Sequence, residues 1–314
     1  MPSPPPCPVT GKPAIRLVQR VSASLLADLW RLEFQVDARP SFKGKTSFGL
    51  WESPTGLYFF DPMLEGDAAF YERLYRTIGA RKVPVQGTYR GDCNLAARHI
   101  ADGDRVLDVG CGFGAFRHVI PKACYVGLDP NFAAETGQDW ALAETLAEHL
   151  AQNAGAYDAA CAFQVLEHVA SPVDMLKDMA RAVRPGGKVM VGVPHVNSAH
   201  TRIPNFLINA TPHHLTWWTR RALIVAAQQA GLVNPTVEVA PWTEIDSVIY
   251  WLARCSPFRC TDVHFQHSWR FHFSAVVGFL VGYAMWKLKP VPRPPADDAG
   301  AALLLIARVP GSRP

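Results

Sequence analysis

An acid followed by three alternating glycines is the pattern in this sequence best suited to holding a ligand. Asp108 lies in the apolar run Val-Leu-Asp-Val, and Gly110, Gly112 and Gly114 follow it as D-x-G-x-G-x-G. The run predicts a strand covered on both faces, and the glycines permit a sharp turn and close approach of a ligand. A helix beginning near Phe113 would direct its free N–H groups at that ligand. The pattern therefore predicts a nucleotide-type pocket in a doubly wound α/β sheet.

The neighbouring acids discriminate between two classes of nucleotide. Gly110, Gly112 and Ala115 also satisfy the dinucleotide pattern G-x-G-x-x-G/A, so the glycines alone leave an NAD site open. A carboxylate at Asp108 would repel a pyrophosphate but attract the amino and sulfonium cations of S-adenosylmethionine. The next predicted strand ends in Asp129, which could accept hydrogen bonds from both hydroxyls of a ribose. These two acids favour S-adenosylmethionine.

Several segments in a fixed order resemble the class I S-adenosylmethionine-dependent methyltransferases, in particular the ubiquinone-type O-methyltransferase branch. The resemblance covers roughly residues 88–240 and the final predicted strand, 301–309. It implies a Rossmann-like seven-stranded methyltransferase sheet with helices on both faces, and S-adenosyl-L-methionine as the cofactor. The segments that carry it are 106–115, 126–129, 157–158, 163–169 and 176–194.

The ends of the later strands complete the predicted cofactor site. Ala143 and Glu144 follow the predicted third strand, 140–144, and are expected near the adenine. Phe163 ends the predicted fourth strand, and Gln164 is expected to contact the methionine moiety. A helix over 66–81 is expected to cover the pocket, with Tyr89 or Arg90 reaching the methionine carboxylate. The full predicted set is Asp108, Gly110, Gly112, Gly114, Asp129, Ala143, Glu144, Phe163 and Gln164.

Three histidines are candidates for the catalytic base. Methyl transfer is an in-line displacement that depends mostly on positioning, and a base helps when the acceptor is a hydroxyl or amine. His168 follows the fourth strand, His195 follows the predicted fifth strand, 188–194, and His214 lies beside His213 in a long loop. The alternatives are structural: capping and a buried hydrogen bond at Glu167 and His168, and a pinned loop at the histidine pair.

No metal site is predicted. In ubiquinone-type relatives an acid three residues before the Glu-His pair helps to bind a metal, and Gln164 replaces it here. The N-terminal segment resembles a zinc ribbon with a single remaining cysteine, and one thiolate cannot form a four-ligand zinc site. An alternative for this segment is two unrelated turns. The ribbon positions are Cys7, Thr10, Glu52 and Thr55, and a second group with spacing unlike common zinc fingers is Cys255, Cys260, His264 and His267.

An apolar insertion precedes the final strand. Residues 273–286 are apolar throughout, and fourteen residues fall short of a bilayer span. Ser274, Gly278 and Gly282 form a stripe that allows close helix packing. The sequence favours a helical hairpin with 245–252 beside the pocket. The alternatives are a homodimer through 270–289 or peripheral contact with a membrane.

The composition of the chain excludes some classes of protein. The chain has 314 residues, a net charge of +4 and seven cysteines without a C-x-x-C pair, which argues against nucleic-acid binding and a disulfide framework. The predicted units are 1–60 (Pro-rich tail and degenerate ribbon), 61–240 with 301–314 (methyltransferase domain) and 241–300 (helical insertion). We expect a cytoplasmic enzyme, peripheral to the inner face of the membrane if the insertion contacts lipid, that methylates a small-molecule or glycolipid-type, lipid-linked acceptor. The alternatives are a catalytically silent cofactor-binding scaffold and an NAD-dependent oxidoreductase.

Overall fold

Two β-sheets form the framework of the chain in a computed structural model, which describes residues 3–80, 90–130, 139–296, 298 and 300–311. The strands are β1 (Arg16–Ser22), β2 (Ser47–Glu52), β3 (Tyr58–Asp61), β4 (Arg105–Val109), β5 (Cys124–Leu128), β6 (Ala141–Leu142), β7 (Tyr157–Phe163), β8 (Val183–Pro194), β9 (Thr216–Trp217), β10 (Val233–Val239) and β11 (Ala302–Arg308). The helices are α1 (Ala23–Phe34), α2 (Ala68–Ala80), α3 (Gly91–Ala97), α4 (Leu146–Asn153), α5 (Pro172–Ala182), α6 (Arg220–Gln229), α7 (Glu244–Cys255) and α8 (Trp269–Leu288).

The larger sheet has seven strands in the order β10-β11-β8-β7-β4-β5-β6. The strands from β8 to β6 are parallel, whereas β11 is antiparallel to both of its neighbours. Alternate residues of the central strands enter two different apolar clusters, one shared with α5 and α6 and the other with α3. This arrangement confirms the predicted α/β sheet with helices on both faces.

Strand β8 begins five residues earlier than the sequence predicted. Val183 pairs with Tyr157, and the Gly186 N–H donates to the Val309 carbonyl at 3.1 Å. The turn-rich run Arg-Pro-Gly-Gly is thus held against the sheet by its neighbours, although its own propensity favours a turn.

The predicted α-helix at Phe113 is wrong. Only a short 3-10 stretch, Ala115–Val119, follows the glycine turn, and Phe113 itself is exposed. Gly114 has a φ of 66°, outside the helical region, and Pro121 disfavours helical backbone at the residue before it. The 3-10 stretch therefore replaces the expected α-helix terminus, and the amides of Gly110, Cys111 and Gly114 donate to backbone carbonyls.

The smaller sheet, in the order β1-β2-β3-β9, joins the N-terminal segment to the loop that carries the histidine pair. Tyr58 and Phe59 of β3 pair with Trp217 and Thr216 of β9. The segment 25–36, whose type the sequence left undecided, is helix α1, and the Ser22 side chain caps it by accepting from Leu25. The domain boundaries at 60, 240 and 300 stay predictions.

Helices α7 and α8 form the predicted hairpin. A Cβ at Gly278 would lie 2.8 Å from the Leu252 carbonyl oxygen, and one at Gly282 would lie 2.7 Å from that of Trp251, so both glycines face α7. Helix α8 has 20 residues and extends beyond the apolar run 273–286 at both ends. By length and composition α8 could cross a membrane.

Candidate functional site

The glycine loop after β4 leaves open space where a ligand could lie. Gly112 has a φ of 50°, and a Cβ there would meet no heavy atom of the described residues within 4 Å. Gly114 differs, because its Cβ would lie 2.6 Å from the Trp140 ring. The Asp129 carboxylate accepts a hydrogen bond from the Gly112 N–H at 3.1 Å, which places the predicted ribose acid beside the open part of the loop.

Asp108 is buried beneath this loop, with 3% of its surface exposed. The Tyr125 hydroxyl donates to its carboxylate. Burial raises the pKa of Asp108 to about 7, although the Tyr125 hydrogen bond and the Arg90 charge act in the opposite direction. The acid predicted to face the ligand cations is thus held close to its titration point near neutral pH.

A buried ion pair adjoins the predicted methionine contact. The Arg90 guanidinium donates to Asp92 at 2.8 and 3.2 Å, and the Gln164 amide donates to the same carboxylate at 3.1 Å. Burial alone would raise the pKa of Asp92, but the Arg90 charge and these hydrogen bonds outweigh it and lower the pKa. Arg90 also lies over the Phe163 ring, 5.8 Å from its centroid. The other predicted carboxylate contact, Tyr89, lies outside the described residues.

The predicted adenine residues lie at the edge of the sheet. The third strand is shorter than predicted, because only Ala141–Leu142 forms β6. Ala143 follows it and is exposed. Glu144 bonds to His149 at 3.0 Å, so its carboxylate also serves the local structure.

A cluster of three histidines and one glutamate lies after β7. The Val165 side chain packs against Gly110 of the glycine loop, in the space that a Cβ at Gly110 would fill. A short 3-10 turn, Leu166–His168, directly follows Val165 and therefore adjoins the glycine loop. His213 and His214 reach the turn from the distant loop, where the Leu215 N–H donates to the Glu167 carbonyl at 2.8 Å.

The rings of this cluster are in contact, and they are uncharged. The His168 centroid lies 4.4 Å from that of His213 and 4.9 Å from that of His214. Burial lowers the pKa of His168 to about 4, and burial with the neighbouring rings lowers the pKa of His213 and His214 well below the ordinary value. Neutral imidazoles can accept a proton or bind a cation.

Glu167 is the least accessible member of the cluster. Its side chain is 0% exposed, and neither carboxylate oxygen has a hydrogen-bond partner among the described residues. Its nearest cationic candidates are His214 Nε2 at 3.9 Å and His168 Nε2 at 4.0 Å. These separations are too long for hydrogen bonds, so the interpretation of Glu167 as a buried hydrogen-bonding residue is not supported by the geometry.

His195, the third predicted base, lies at the end of β8, as the sequence indicated. It is 7% exposed, and its backbone bridges to Trp218. The structure brings His168 and His214 together around Glu167 and holds His195 on a separate strand end.

Helix α2 packs over the cluster and toward the ribose acid. The Tyr71 ring lies 6.1 Å from that of His168 and 6.0 Å from that of His213. Burial, and then the charges of Asp129 and Glu167, raise the pKa of Tyr75 to about 12. Helix α2 thus lies over the histidine cluster, and its expected role as a cover of the cofactor pocket stays a prediction.

The second sequence group with metal-ligand residues is not assembled as a site. The His264 Nδ1–H donates to the Thr201 carbonyl, Cys260 Sγ lies near the His264 carbonyl, and His267 pairs with His272. Within the described ranges, the group of metal-ligand residues that the fold brings together is His168, His213 and His214.

Comparison with known proteins identifies the domain that this geometry builds. A family model described as a methyltransferase domain matches residues 85–237. The chain carries a class I S-adenosylmethionine-dependent methyltransferase domain. The cofactor of this methyltransferase domain is S-adenosylmethionine.

The curated relatives of the methyltransferase domain match over a limited stretch. A ubiquinone biosynthesis O-methyltransferase of Vibrio parahaemolyticus is 37% identical over 99 residues, which cover 28% of this chain and 42% of that protein. A ubiquinone biosynthesis O-methyltransferase of Escherichia coli is 38% identical over 99 residues, which cover 28% of this chain and 41% of that protein. The chain thus spans about two fifths of the length of the curated relatives it matches.

Two solved structures are similar at lower identity. An S-adenosylmethionine-dependent methyltransferase of Thermotoga maritima has a TM-score of 0.46 and 16% identity, covering 76% of this chain and 96% of that chain. An S-adenosylmethionine-dependent methyltransferase of Archaeoglobus fulgidus has a TM-score of 0.43 and 15% identity, covering 70% of this chain and 96% of that chain.

Sequence reasoning missed two features of the site. Asp92 could have been suspected from Arg90, since opposite charges two residues apart before a helix often pair. The approach of His213 and His214 to Glu167 has no local signal, because it depends on how the distant loop folds back.

Proposed function

We propose that this chain transfers the methyl group of S-adenosylmethionine to a hydroxyl group of a small-molecule or glycolipid-type acceptor at the cytoplasmic face of a membrane. The observation that carries the proposal is the uncharged His–Glu cluster beside the glycine loop. The contact of Val165 with Gly110 supports this proposal, because it brings the turn that carries Glu167 and His168 against the glycine loop.

The chemistry is one displacement. The acceptor oxygen attacks the methyl carbon as the C–S bond breaks, its electron pair stays on sulfur, and the hydroxyl proton must leave. The His168 Nδ1–H donates to the His213 carbonyl, so His168 Nε2 carries the lone pair. His168 and His214 are therefore better placed to receive the proton than His195.

The outer face of α8 supports a lipid-like acceptor. Its inner stripe is covered by α7, and α7 in turn packs on the loop after β8 through Ile249, Leu252 and Ala253. The outer side chains are 46–62% exposed, an apolar area that soluble surfaces rarely show. They are Phe273, Val276, Phe279, Leu280, Val281 and Tyr283.

Charge and aromatic residues at the ends of α8 favour a membrane as the partner of this face. Lys287 lies over the Trp286 ring at 4.0 Å, Arg270 lies in the first turn of α8, and Lys289 directly follows the helix. Cations and tryptophans at the ends of an apolar helix suit the headgroup level of a bilayer. Because α7 packs between α8 and the domain, we infer that α8 lies along the membrane surface with its outer face immersed.

Methyl transfer is tested with methyl-labelled S-adenosylmethionine and two acceptor pools, a total lipid extract and an aqueous metabolite extract. We expect label in the lipid pool, and a reduction of at least tenfold in H168Q but not in H272Q, an exposed histidine outside the cluster. No label in either pool, with S-adenosylhomocysteine still bound, would favour the silent scaffold. Label in the aqueous pool alone would contradict a lipid-like acceptor.

Membrane contact is tested by co-sedimentation with vesicles that contain anionic lipid. We expect the chain to pellet with vesicles, and the F279E/L280E variant to stay in the supernatant. V263E is the matched control, because Val263 is exposed outside α8. A chain that ignores vesicles but elutes as a dimer, and becomes a monomer in F279E/L280E, would assign the face to a second copy.

A further inference from the structure

Three ring nitrogens of the cluster converge on one point. One ring nitrogen each from His168, His213 and His214 lies within 4.8 Å of the others. Zinc–nitrogen bonds are about 2.0–2.1 Å long, so rotations of the rings by a small amount would bring all three onto one ion.

Hydrogen bonds fix which nitrogen two of the three rings, His168 and His213, offer. The His168 Nδ1–H donates to the His213 carbonyl at 2.6 Å, and the His213 Nδ1–H donates to the Ile208 carbonyl at 3.0 Å. A carbonyl oxygen only accepts, so Nδ1 carries the proton in both rings and Nε2 carries the lone pair. Ligand histidines in metal sites are held in this way.

Glu167 supplies a second, independent observation. Its carboxylate is wholly buried and no described residue forms a hydrogen bond with it, yet Oε1 lies within 4.0 Å of two of the Nε2 atoms. A buried carboxylate without a partner is costly unless a cation or donor occupies the adjoining space. His168 and His213 supply no such donor, because the Nδ1 proton of each points to a backbone carbonyl.

The metal position implied by the ubiquinone-type resemblance does not fit this chain. It would require an acid at Gln164, and the Gln164 amide instead donates to Asp92. Any ion must therefore take its ligands from the other side of Glu167, where the distant loop supplies two histidines.

We propose that His168, His213 and His214 bind a divalent transition metal ion of the zinc class, with Glu167 beside its open position. Three neutral imidazoles with one open position are the ligand set of a catalytic zinc site. This proposal rests on the proposed function: a bound ion would lower the pKa of the acceptor hydroxyl and favour the ionised form of Glu167. Glu167 would then take the hydroxyl proton in place of His168 and His214, whose lone pairs would hold the ion. The acceptor oxygen then displaces sulfur from the methyl carbon.

The test is metal binding by the full chain, without any turnover. The purified protein is stripped with chelator and titrated with Co²⁺ alone, and the visible d–d bands of four-coordinate Co²⁺ are recorded. We expect one Co²⁺ per chain, displaced by Zn²⁺, and an increase in Tm on binding. A wild-type chain that shows neither the bands nor stoichiometric binding overturns the proposal, whatever its activity.

Single variants locate the site. H213Q and H214Q should weaken Co²⁺ binding at least tenfold while S-adenosylhomocysteine affinity, which reports the fold and the cofactor site, stays unchanged. H272Q is the matched control, because His267 and His272 form an exposed pair 3.2 Å apart that could bind metal by itself. Bands lost in H272Q and kept in H213Q and H214Q would assign the ion to that surface pair and overturn the proposal. Failure of methyl transfer with intact Co²⁺ binding would instead count against the proposed function alone.

Discussion

The Tyr125 hydroxyl donates a hydrogen bond to the Asp108 carboxylate across 2.7 Å. This bond joins two adjacent parallel strands, β4 and β5, at the floor of the glycine loop. Even with this donor, burial leaves the pKa of Asp108 at about 7. The charge state of the free site therefore changes within the physiological pH range.

Cofactor affinity should depend on this titration. Bound S-adenosylmethionine stabilises the ionised carboxylate, so its affinity should fall as the pH drops below about 7, by up to about tenfold per pH unit. Equilibrium titration between about pH 6 and about pH 8 measures this. D108N should bind weakly with little pH dependence, and an equal slope in D108N would assign the titration to another group.

Stability should show the opposite trend. The pKa of Asp108 is raised from 3.8 in the unfolded state to about 7 in the folded state, so the folded state holds the proton more tightly. Its contribution is fully present below about pH 4 and is lost as the pH rises through about 7. Without cofactor, D108N should exceed wild type in the free energy of unfolding by on the order of 1–3 kcal/mol at about pH 8. Urea unfolding should show this difference shrinking toward about pH 4, and a constant difference would contradict it.

Asp129 should contribute to cofactor binding. D129A should weaken S-adenosylhomocysteine binding by about 1.5–3 kcal/mol, the scale of lost charge-assisted hydrogen bonds. D139A, at an exposed acid that precedes β6, serves as the control and should leave the affinity unchanged. Wild-type affinity in D129A would show that the ribose assignment is wrong.

The buried pair of Arg90 and Asp92 should be sensitive to neutralisation. D92N leaves the guanidinium without its counter-charge and should lower the free energy of unfolding by on the order of 3–5 kcal/mol. D102N removes an exposed pair with Lys122, at 2.8 Å, and should cost no more than about 1 kcal/mol. Equal effects in the two variants, measured by urea unfolding, would argue against a buried pair.

Close packing of the hairpin should depend on Gly278. Gly278→Leu places a side chain against the Leu252 carbonyl and the Ser256 hydroxyl, and should destabilise the fold by about 1–3 kcal/mol. Leu280→Ala, on the exposed outer face, should change the thermal unfolding temperature little. If Gly278→Leu keeps its stability and no longer pellets with lipid, the stripe contacts membrane and not α7.

The sheet was predictable because its strands are apolar runs that end in functional residues. Strand β7 ends at Phe163, as predicted, and β8 ends at Pro194, directly before His195. Predictions that rested on shorter sequence patterns were wrong for the bounds of β6 and for the helix at Phe113. Two residues suffice for β6 because the neighbouring strand orders them, and the helix expected at Phe113 is prevented by the left-handed backbone of Gly114.

The site was predictable only in pieces. Asp108 lies near the end of β4, Asp129 and Gln164 follow β5 and β7, and parallel strands align such residues at one edge. Residues 167–168 and 213–214 are far apart in the chain, so their meeting follows from tertiary packing that no local pattern encodes. The absence of metal at the ribbon positions Cys7, Thr10, Glu52 and Thr55 stays a prediction.

The pairing of β3 with β9 has a consequence for the order of events during folding. Phe59 pairs with Thr216 across half the length of the chain, and contacts of such long sequence separation form slowly. The cofactor loops lie between nearby strands and can form earlier. During synthesis the nascent chain should therefore acquire cofactor affinity before its histidine loop is ordered, and the acceptor half of the enzyme matures last.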